Sequence, residues 1–150
     1  MNAYLISLFA VGGTSALGSY FTSKTVNSPW YTCIKPDITP PSYVFPIVWT
    51  TLYILFFFVY ALALQKQFCV SLFSLSLFLN VVWCYLYFDR KQIQEAFIIL
   101  LTMVFLGVSI LWIAVQKKEY RILTLFTPYV LWISFASYLN YESISKKENC

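Results

Sequence analysis

The chain has 150 residues, of which 60% are hydrophobic and only 11% are charged. Soluble globular proteins average roughly 45 to 50% apolar and about 25% charged residues, so this composition excludes an ordinary soluble domain and indicates an integral membrane protein. Histidine is absent, which excludes His-ligated haem, His metal sites and His-based catalytic triads.

The ten basic and six acidic residues fall in five clusters, and the segments between the clusters are continuously apolar. A helix needs roughly 20 residues to cross about 30 Å of hydrocarbon, and five segments reach that length. Because apolar and polar residues do not alternate strictly in these segments, the pattern favours helices over a β-barrel. We therefore predict a single all-α domain over residues 1–150, a bundle of five transmembrane helices at about 2–23, 42–65, 67–88, 95–116 and 121–141.

The first span has no basic leading region and no small-residue cleavage site, so we expect a retained helix and not a signal peptide. It also carries small residues at Gly12, Gly13, Ala16 and Gly18. Small residues let helices approach closely. We expect this face to pack inside the bundle, with a dimer contact as the alternative.

A polar, proline-rich segment, residues 29–41, separates the first two spans. Its four prolines fix φ and disfavour helix in the residues that precede them, which indicates an ordered loop. We call residues 29–41 the lid, because two adjacent aromatic residues and one lysine make it a candidate cover for a ligand. These side chains are Trp30, Tyr31 and Lys35.

Because successive spans cross the membrane in opposite directions, the lid, the 89–95 turn and the carboxyl-terminal segment lie on one face of the membrane. Six Lys and Arg residues lie on that face and four on the other. The positive-inside rule then assigns the lid face to the cytoplasm. Which membrane the protein occupies does not follow from the sequence.

The ordinary catalytic and metal-binding patterns are missing from the sequence. Its four cysteines, at positions 33, 69, 84 and 150, have no metal-ligand spacing, and Cys69 and Cys84 are interpreted as small hydrophobic residues. The apolar segments carry no charge of the kind that proton pumps and ion-coupled carriers keep inside the membrane. We therefore expect no metal, no required cofactor and no nucleic-acid partner. The function class that remains is the binding of an apolar or aromatic ligand within the bilayer.

Tryptophans indicate where that site lies. From the rise of about 1.5 Å per residue, Trp49 lies roughly 10 Å, Trp83 roughly 8 Å and Trp132 about 14 Å below the lid face. Interfacial tryptophans lie at headgroup depth, and Trp49 and Trp132 are too deep for that. Since a buried indole N–H needs a partner, both should face the interior.

Helical spacing extends this set, because Phe45, Trp49 and Tyr53 share one face of the second span. By the same spacing, Trp132, Ala136 and Asn140 share one face of the last span. Such aromatic stripes are more often core than pocket, so simple packing stays open as the alternative. Asn80 is an amide at mid-depth, and a role in tying helices together is favoured over ligand contact.

The order of motifs resembles the TspO/MBR family of translocator proteins and tryptophan-rich sensory proteins. The resemblance is carried by Trp30-Tyr31, Lys35-Pro36, Pro40-Pro41, and the segments VFPIVWTTLY (44–53), LNVVW (79–83) and PYVLWISFASYLN (128–140). It implies a five-helix membrane protein, commonly a homodimer, that binds porphyrins such as protoporphyrin IX, and sterols, under the first loop. The pocket residues it implies are Trp30, Tyr31, Pro41, Trp49, Tyr53, Asn80, Trp83, Trp132 and Ala136.

Two functions follow from the resemblance. The first is a membrane receptor, sensor or carrier for porphyrins. The alternative is an enzyme-like, light-dependent or oxidative degradation of porphyrin, in which Trp49 and Trp132 are the catalytic candidates. The chain departs from the family pattern in the lid, where the spacing from Trp30 to Lys35 is one residue short and Ile38 replaces an aromatic residue.

A sterol motif is a further candidate in the last span. Leu139, Tyr141 and Lys146 match the loose spacing proposed for cholesterol contact, a pattern that often matches by chance.

Overall fold

The computed structural model describes residues 2–150 and contains six α-helices. They are α1 (Ala3–Ser23), α2 (Pro29–Ile34), α3 (Val44–Lys66), α4 (Val70–Cys84), α5 (Ile93–Gln116) and α6 (Tyr120–Lys147). A π-helical segment, Tyr85–Asp89, continues α4. Five helices are long and apolar enough to cross a membrane, α4 with its π segment being one of them. Residues 2–150 contain no strand, so the predicted all-α bundle of five transmembrane helices is confirmed.

Short polar side chains begin the first two helices. The Asn2 Oδ1 accepts a hydrogen bond from the Tyr4 backbone N–H at 2.8 Å, and the Ser28 Oγ accepts one from the Tyr31 N–H at 3.2 Å. Both satisfy a backbone donor that the helix itself leaves free. Pro29 then takes the first position of α2, where it has no helical hydrogen bond to lose. The lid therefore contains a six-residue helix, which the prediction of a proline-rich loop did not include.

The last helix is longer than its predicted span. The span was expected to end near residue 141, whereas α6 continues through Lys147. Its final turns, residues 142–147, carry charged side chains, so the helix extends beyond the apolar segment that defines the predicted span. This extension brings the end of α6 against α2.

The helices form a closed ring in the order α1, α3, α6, α5, α4. The most extensive packing is between α5 and α6. Tight turns join α3 to α4, α4 to α5 and α5 to α6, and each uses a residue with positive φ that is not glycine. These residues are Gln67 and Cys69, Lys91, and Lys118.

Edge-to-face aromatic contacts hold three helices together in the middle of the ring. Phe56 of α3, Phe73 of α4 and Phe126 of α6 are all buried. Their ring centroids lie 5.9, 5.5 and 4.9 Å apart in the three pairs. Each such pair stabilises by roughly 0.5 to 1.5 kcal/mol beyond the area that it buries.

Ion pairs orient the two ends of the bundle. On the lid side, the Lys24 Nζ lies 2.7 Å from the Asp89 Oδ1, and its hydrogen bond to that carboxylate raises the pKa of Lys24. At the opposite end, the Lys66 Nζ lies 2.9 Å from the Glu119 Oε2. Because both pairs are partly exposed, they position helix ends and add little to stability.

Of the four glycines, the one at the tightest helix contact is one that the sequence analysis did not select. A methyl group added at Gly107 of α5 would lie 2.8 Å from the Val130 Cγ2 of α6. By contrast, a methyl group at Gly12 or Gly13 of α1 would have no neighbour within 4 Å. The expectation that the small-residue face of α1 packs inside the bundle is therefore wrong for Gly12 and Gly13.

Candidate ligand-binding site

Five aromatic side chains form a continuous path from the lid into the bundle. We call this set the aromatic path, and its members in order are Trp30, Tyr87, Trp83, Trp49 and Trp132. Successive ring centroids lie 6.4, 5.7, 6.3 and 6.5 Å apart, within the roughly 4.5 to 7 Å typical of aromatic pairs in contact. The structure thus brings together four of the five tryptophans, from the lid, α3, α4 and α6.

The predicted stripe on α3 borders this path. Phe45 packs edge-on against Trp132 with centroids 5.8 Å apart, and Tyr53 packs on Trp49 at 5.6 Å. Because the rings pack on one another, a flat ligand has to separate them. The Trp49 and Trp83 rings are stacked, with their planes within 29° of parallel and their centroids 6.3 Å apart.

Asn80 connects three helices beside the path. Its Oδ1 accepts a hydrogen bond from the Tyr53 hydroxyl at 3.0 Å, and its Nδ2 donates to the Tyr129 hydroxyl at 3.3 Å. The side chain is buried, and both hydrogen bonds satisfy groups that would otherwise be unpaired in hydrocarbon. Asn80 therefore orients the Tyr53 ring that packs on Trp49.

Hydrogen bonds to α6 orient two rings of the path, those of Trp83 and Tyr87. The Trp83 Nε1 donates to the Asn140 Oδ1 at 3.0 Å, and the Asn140 Nδ2 donates to the Ile93 carbonyl at 3.0 Å. The Tyr87 hydroxyl shares a hydrogen bond of 2.9 Å with the Ser143 hydroxyl. Helical spacing already groups Asn140 with Trp132 and Ala136, and the same spacing could have found Tyr87, which lies four residues after Trp83.

Trp132 lies at the inner end of the path and carries a polar atom without a hydrogen-bond partner. Its Nε1 is buried and has no hydrogen-bond partner among residues 2–150. One turn further along α6, Ala136 is buried. On its other side Trp132 borders an open apolar groove of about 460 Å³ between α3 and α6, which is also lined by Val48, Leu52 and Pro128. Trp132 thus lies between the outer surface of the bundle and the aromatic path.

The lid is anchored by one apolar side chain that was not predicted. Ile34, at the end of α2, is fully buried in the core. Tyr31 packs on Phe88 with centroids 5.8 Å apart, and burial raises the pKa of its phenol. Trp30 packs beneath the ammonium of Lys91, which lies 5.1 Å from its ring centroid. The predicted aromatic cover therefore sits over the start of the path.

The lid is also fastened to the end of α6. Cys33 and Cys150 form a disulfide with Cα atoms 6.1 Å apart, a pairing that the sequence analysis did not predict. The Lys146 Nζ lies 2.7 Å from the Asp37 Oδ1 and 3.2 Å from the Lys35 carbonyl oxygen. This ion pair lowers the pKa of Asp37 through its hydrogen bond to Lys146.

Some predicted residues lie apart from the aromatic path. Pro41 is exposed where the lid leads into α3. Lys35 is half-buried, and no ion pair of its side chain occurs among residues 2–150. Trp112, the remaining tryptophan, is exposed on α5.

The sterol motif does not form one surface. Leu139 is buried and Tyr141 is exposed, since two residues along a helix differ by about 200° in direction. Lys146 contacts the lid through Asp37. A sterol cannot contact all three side chains from one side of α6.

Residues 2–150 include no group of three or more His, Cys, Asp or Glu side chains that could hold a metal ion. The path offers aromatic faces and one buried indole N–H without a partner, that of Trp132. These groups can stack on a flat apolar ligand and donate a hydrogen bond to it.

The sequence profile of the TspO/MBR family matches residues 5–145. The chain belongs to the TspO/MBR family. This confirms the resemblance inferred from the motifs, and together with the five apolar helices it makes the chain an integral, multi-pass membrane protein of that family.

Relatives within the TspO/MBR family align along nearly their whole length. Tryptophan-rich protein TspO of Chlorobaculum tepidum is 33% identical, covering 94% of this chain and 96% of the relative. Tryptophan-rich protein TspO of Archaeoglobus fulgidus is 32% identical, covering 90% of each chain. Protein CrtK of Rhodobacter capsulatus is 25% identical, covering 93% of this chain and 87% of the relative.

Proposed function

We propose that this protein is a membrane receptor or sensor, or a carrier, that binds a flat aromatic tetrapyrrole such as protoporphyrin IX along the aromatic path beneath the lid. The observation that carries the proposal is the buried Trp132 Nε1 without a partner, at the end of a run of contacting aromatic rings. An unpaired buried donor costs roughly 1 to 3 kcal/mol. A ligand that accepts this hydrogen bond would remove that cost on binding.

Stacking supplies the rest of the recognition. The nearly parallel rings of Trp49 and Trp83 present two flat faces to an inserted ligand, and Trp30 covers the outer end. Lys35 lies on the lid, where its ammonium can meet a ligand carboxylate at the rim. The name tryptophan-rich sensory protein, carried by a relative from Cereibacter sphaeroides that is 27% identical, supports a sensory role.

Degradation of the porphyrin is the second candidate function. It is favoured by the direct edge-to-face contact of the Trp49 and Trp132 rings, whose centroids lie 6.5 Å apart. Two indoles in contact with one bound, light-absorbing ligand are placed to exchange electrons with it. Sterol binding and a homodimer stay predictions, and the divided surface of the sterol motif gives the former little support.

A titration separates these functions. Purified protein is titrated with protoporphyrin IX in the dark, with tryptophan emission and porphyrin absorption recorded. Trp49→Ala and Trp132→Ala should each weaken binding by about tenfold, since aromatic stacking contributes roughly 1 to 3 kcal/mol per ring. Trp112→Ala is the matched control, because Trp112 is exposed and outside the path. Unchanged affinity in both path variants would show that the site lies elsewhere.

Illumination of the same complexes tests the alternative. A binding protein quenches tryptophan emission and leaves the porphyrin spectrum intact. Light-dependent loss of the porphyrin bands that disappears in Trp49→Phe and Trp132→Phe, but persists in Trp112→Phe, would instead establish degradation.

We also propose that the lid faces the cytoplasm, supported by the excess of basic residues on that face. An impermeant thiol reagent applied to each side of sealed vesicles tests the orientation with a cysteine introduced at Ser42, which is exposed. The protein must also carry Cys33→Ser and Cys150→Ser, which removes the disulfide on the lid face, and Cys69→Ser, which removes the half-buried free thiol at the opposite end.

A further inference from the structure

Two kinds of contact fasten the lid to the end of α6. One is covalent, between Cys33 and Cys150, which are 117 residues apart in the sequence. The other is ionic, from the Lys146 Nζ to the Asp37 Oδ1 at 2.7 Å. Both attach the part of the lid that follows Trp30 and Tyr31, so they act on the segment that covers the outer end of the aromatic path.

The covalent contact is the one that can decide whether the lid opens. The side chain of Asp37 is 95% exposed, and ion pairs in water form and break readily. The disulfide, in contrast, keeps Cys33 bonded to Cys150, three residues after the end of α6, whatever the ion pair does. Since Ile34 follows Cys33 directly and is fully buried, withdrawal of Ile34 from the core requires Cys33 to move as well. The disulfide therefore restrains the anchor of the lid.

Soluble thiols can reach this bond and not the other cysteines. Cys33 and Cys150 are both exposed. Cys84 is buried inside the bundle, and Cys69 is half-buried at the opposite end, between α3 and α4. The accessible cysteine pair thus lies on the lid face, whereas one free thiol is buried and the other lies at the opposite end of the bundle.

The compartment also favours a reversible bond. The proposed orientation places the lid face in the cytoplasm, where thiol buffers keep most cysteines reduced and the disulfides that do form are usually transient or redox-sensing. A permanent structural staple is typical of an oxidising compartment.

We propose that the Cys33–Cys150 disulfide is a redox latch on the lid. In the oxidised state it holds α2 against α6 and slows ligand exchange, and in the reduced state it releases the lid. Its effect on ligand exchange rests on the proposed function, whereas its effect on lid motion does not.

The step needs a dithiol reductant on the lid face. A thiolate of the dithiol attacks one sulfur of the pair, forms a mixed disulfide and displaces the other cysteine as a thiolate, which takes up a proton. The second thiolate of the dithiol then attacks the mixed disulfide and releases the first cysteine. Two electrons pass to the protein, which gains two thiols, and the reductant leaves as its cyclic disulfide.

Lid motion is measured first, without ligand. Amide hydrogen exchange over residues 30–39 is compared in the oxidised protein, the protein reduced with dithiothreitol, and Cys33→Ser. Reduction and Cys33→Ser should each speed exchange by about tenfold, because local opening governs the rate. Cys69→Ser is the matched control and should exchange like the oxidised protein. Equal rates in the oxidised, reduced and Cys33→Ser proteins would overturn the latch.

Ligand exchange is measured next, as the rate of protoporphyrin IX release with and without dithiothreitol. A rise of about tenfold in the off-rate on reduction, absent in Cys33→Ser, supports the latch. A lid that loosens in a protein that binds porphyrin in neither state supports the latch and overturns the proposed function. Porphyrin release that is equal in both states, despite a loosened lid, overturns the control of exchange.

The redox state in cells completes the test. Cells are treated with acid to trap thiols, and free cysteines are then alkylated with a mass tag. The latch predicts that the Cys33–Cys150 pair shifts between the two states when cells are exposed to a thiol oxidant or to dithiothreitol. A pair that stays fully oxidised under both treatments is a permanent staple, which would overturn the switch.

Discussion

The Trp83 Nε1 donates a hydrogen bond to the Asn140 Oδ1 at 3.0 Å, and this contact joins α4 to α6 in the middle of the aromatic path. Both side chains are buried. The same amide donates to the Ile93 carbonyl at the start of α5. One side chain therefore sets the orientation of a ring in the site and connects three helices.

Asn140→Leu should lower stability and release the Trp83 ring. Hydrogen bonds between side chains inside membranes average only about 0.6 kcal/mol. Since two are lost, the expected destabilisation is about 1 to 2 kcal/mol, measured by thermal unfolding in detergent. Trp83 emission should shift at the same time. In the double variant with Trp83→Phe the cost of Asn140→Leu should shrink, and an undiminished cost would show that the indole bond contributes nothing.

Gly107→Ala should destabilise the protein through a clash. The new methyl group would lie 2.8 Å from the Val130 Cγ2, and overpacking of this kind costs roughly 1 to 3 kcal/mol. Gly12→Ala is the matched control, because nothing lies within 4 Å of the added methyl. Val130→Ala should restore much of the stability of Gly107→Ala. Equal melting temperatures for the two glycine variants would contradict the helix spacing.

Trp30→Ala should raise the porphyrin off-rate several-fold with little change in the melting temperature of the ligand-free protein. Trp30 is half-buried and packs on Tyr87 and beneath Lys91, so it covers the path without filling the core. Ile34→Ala is the contrasting variant, since Ile34 is fully buried and its loss should lower the melting temperature as well. A large loss of stability in Trp30→Ala would show that its role is structural.

Lys35→Ala should weaken the binding of porphyrin carboxylates more than that of neutral porphyrin esters. The pair would form at the rim, where water screens it, so the expected difference is about 1 kcal/mol or less. Equilibrium titrations with the diacid and the dimethyl ester measure it. Lys147→Ala removes an equal charge from the exposed end of α6 and should change the affinities for the acid and the ester equally. Equal losses for both ligands in Lys35→Ala would remove Lys35 from the site.

Acid should weaken the ionic attachment of the reduced lid. The hydrogen bond to Lys146 lowers the pKa of Asp37. A lowered carboxyl pKa means that the ion pair stabilises the closed lid above the ordinary Asp pKa, and that this contribution is lost as pH falls through the lowered value. Spin labels on Cys33 and Cys150, in a Cys69→Ser and Cys84→Ser background, should therefore move apart at low pH. Asp37→Asn should abolish that pH dependence, and an unchanged dependence would assign it to another group.

The lid shows how far local sequence signals reach. The prolines bound α2, which starts at Pro29 and ends before Pro36, since residues preceding proline avoid the helical region, but the prediction there was a loop without a helix. The helix between Pro29 and Pro36 could have been predicted, because Ser28-Pro29 is an N-cap followed by proline at the first helical position. The burial of Ile34 could not be predicted in this way, since it depends on what α2 packs against.

The number of membrane helices, the all-α class and the family follow from the sequence by itself. The thickness of the hydrocarbon layer sets the length of each apolar segment, and the tryptophan motifs identify the TspO/MBR family. Only the tertiary structure decided that Cys33 meets Cys150, that Asn140 holds Trp83, and that Gly107 is the glycine at a close contact. Membrane helices are apolar on every face, so the hydrophobic pattern does not tell which face turns inward. Rotation of each helix about its axis is set by packing against its neighbours, and the pairing of distant residues follows from that packing.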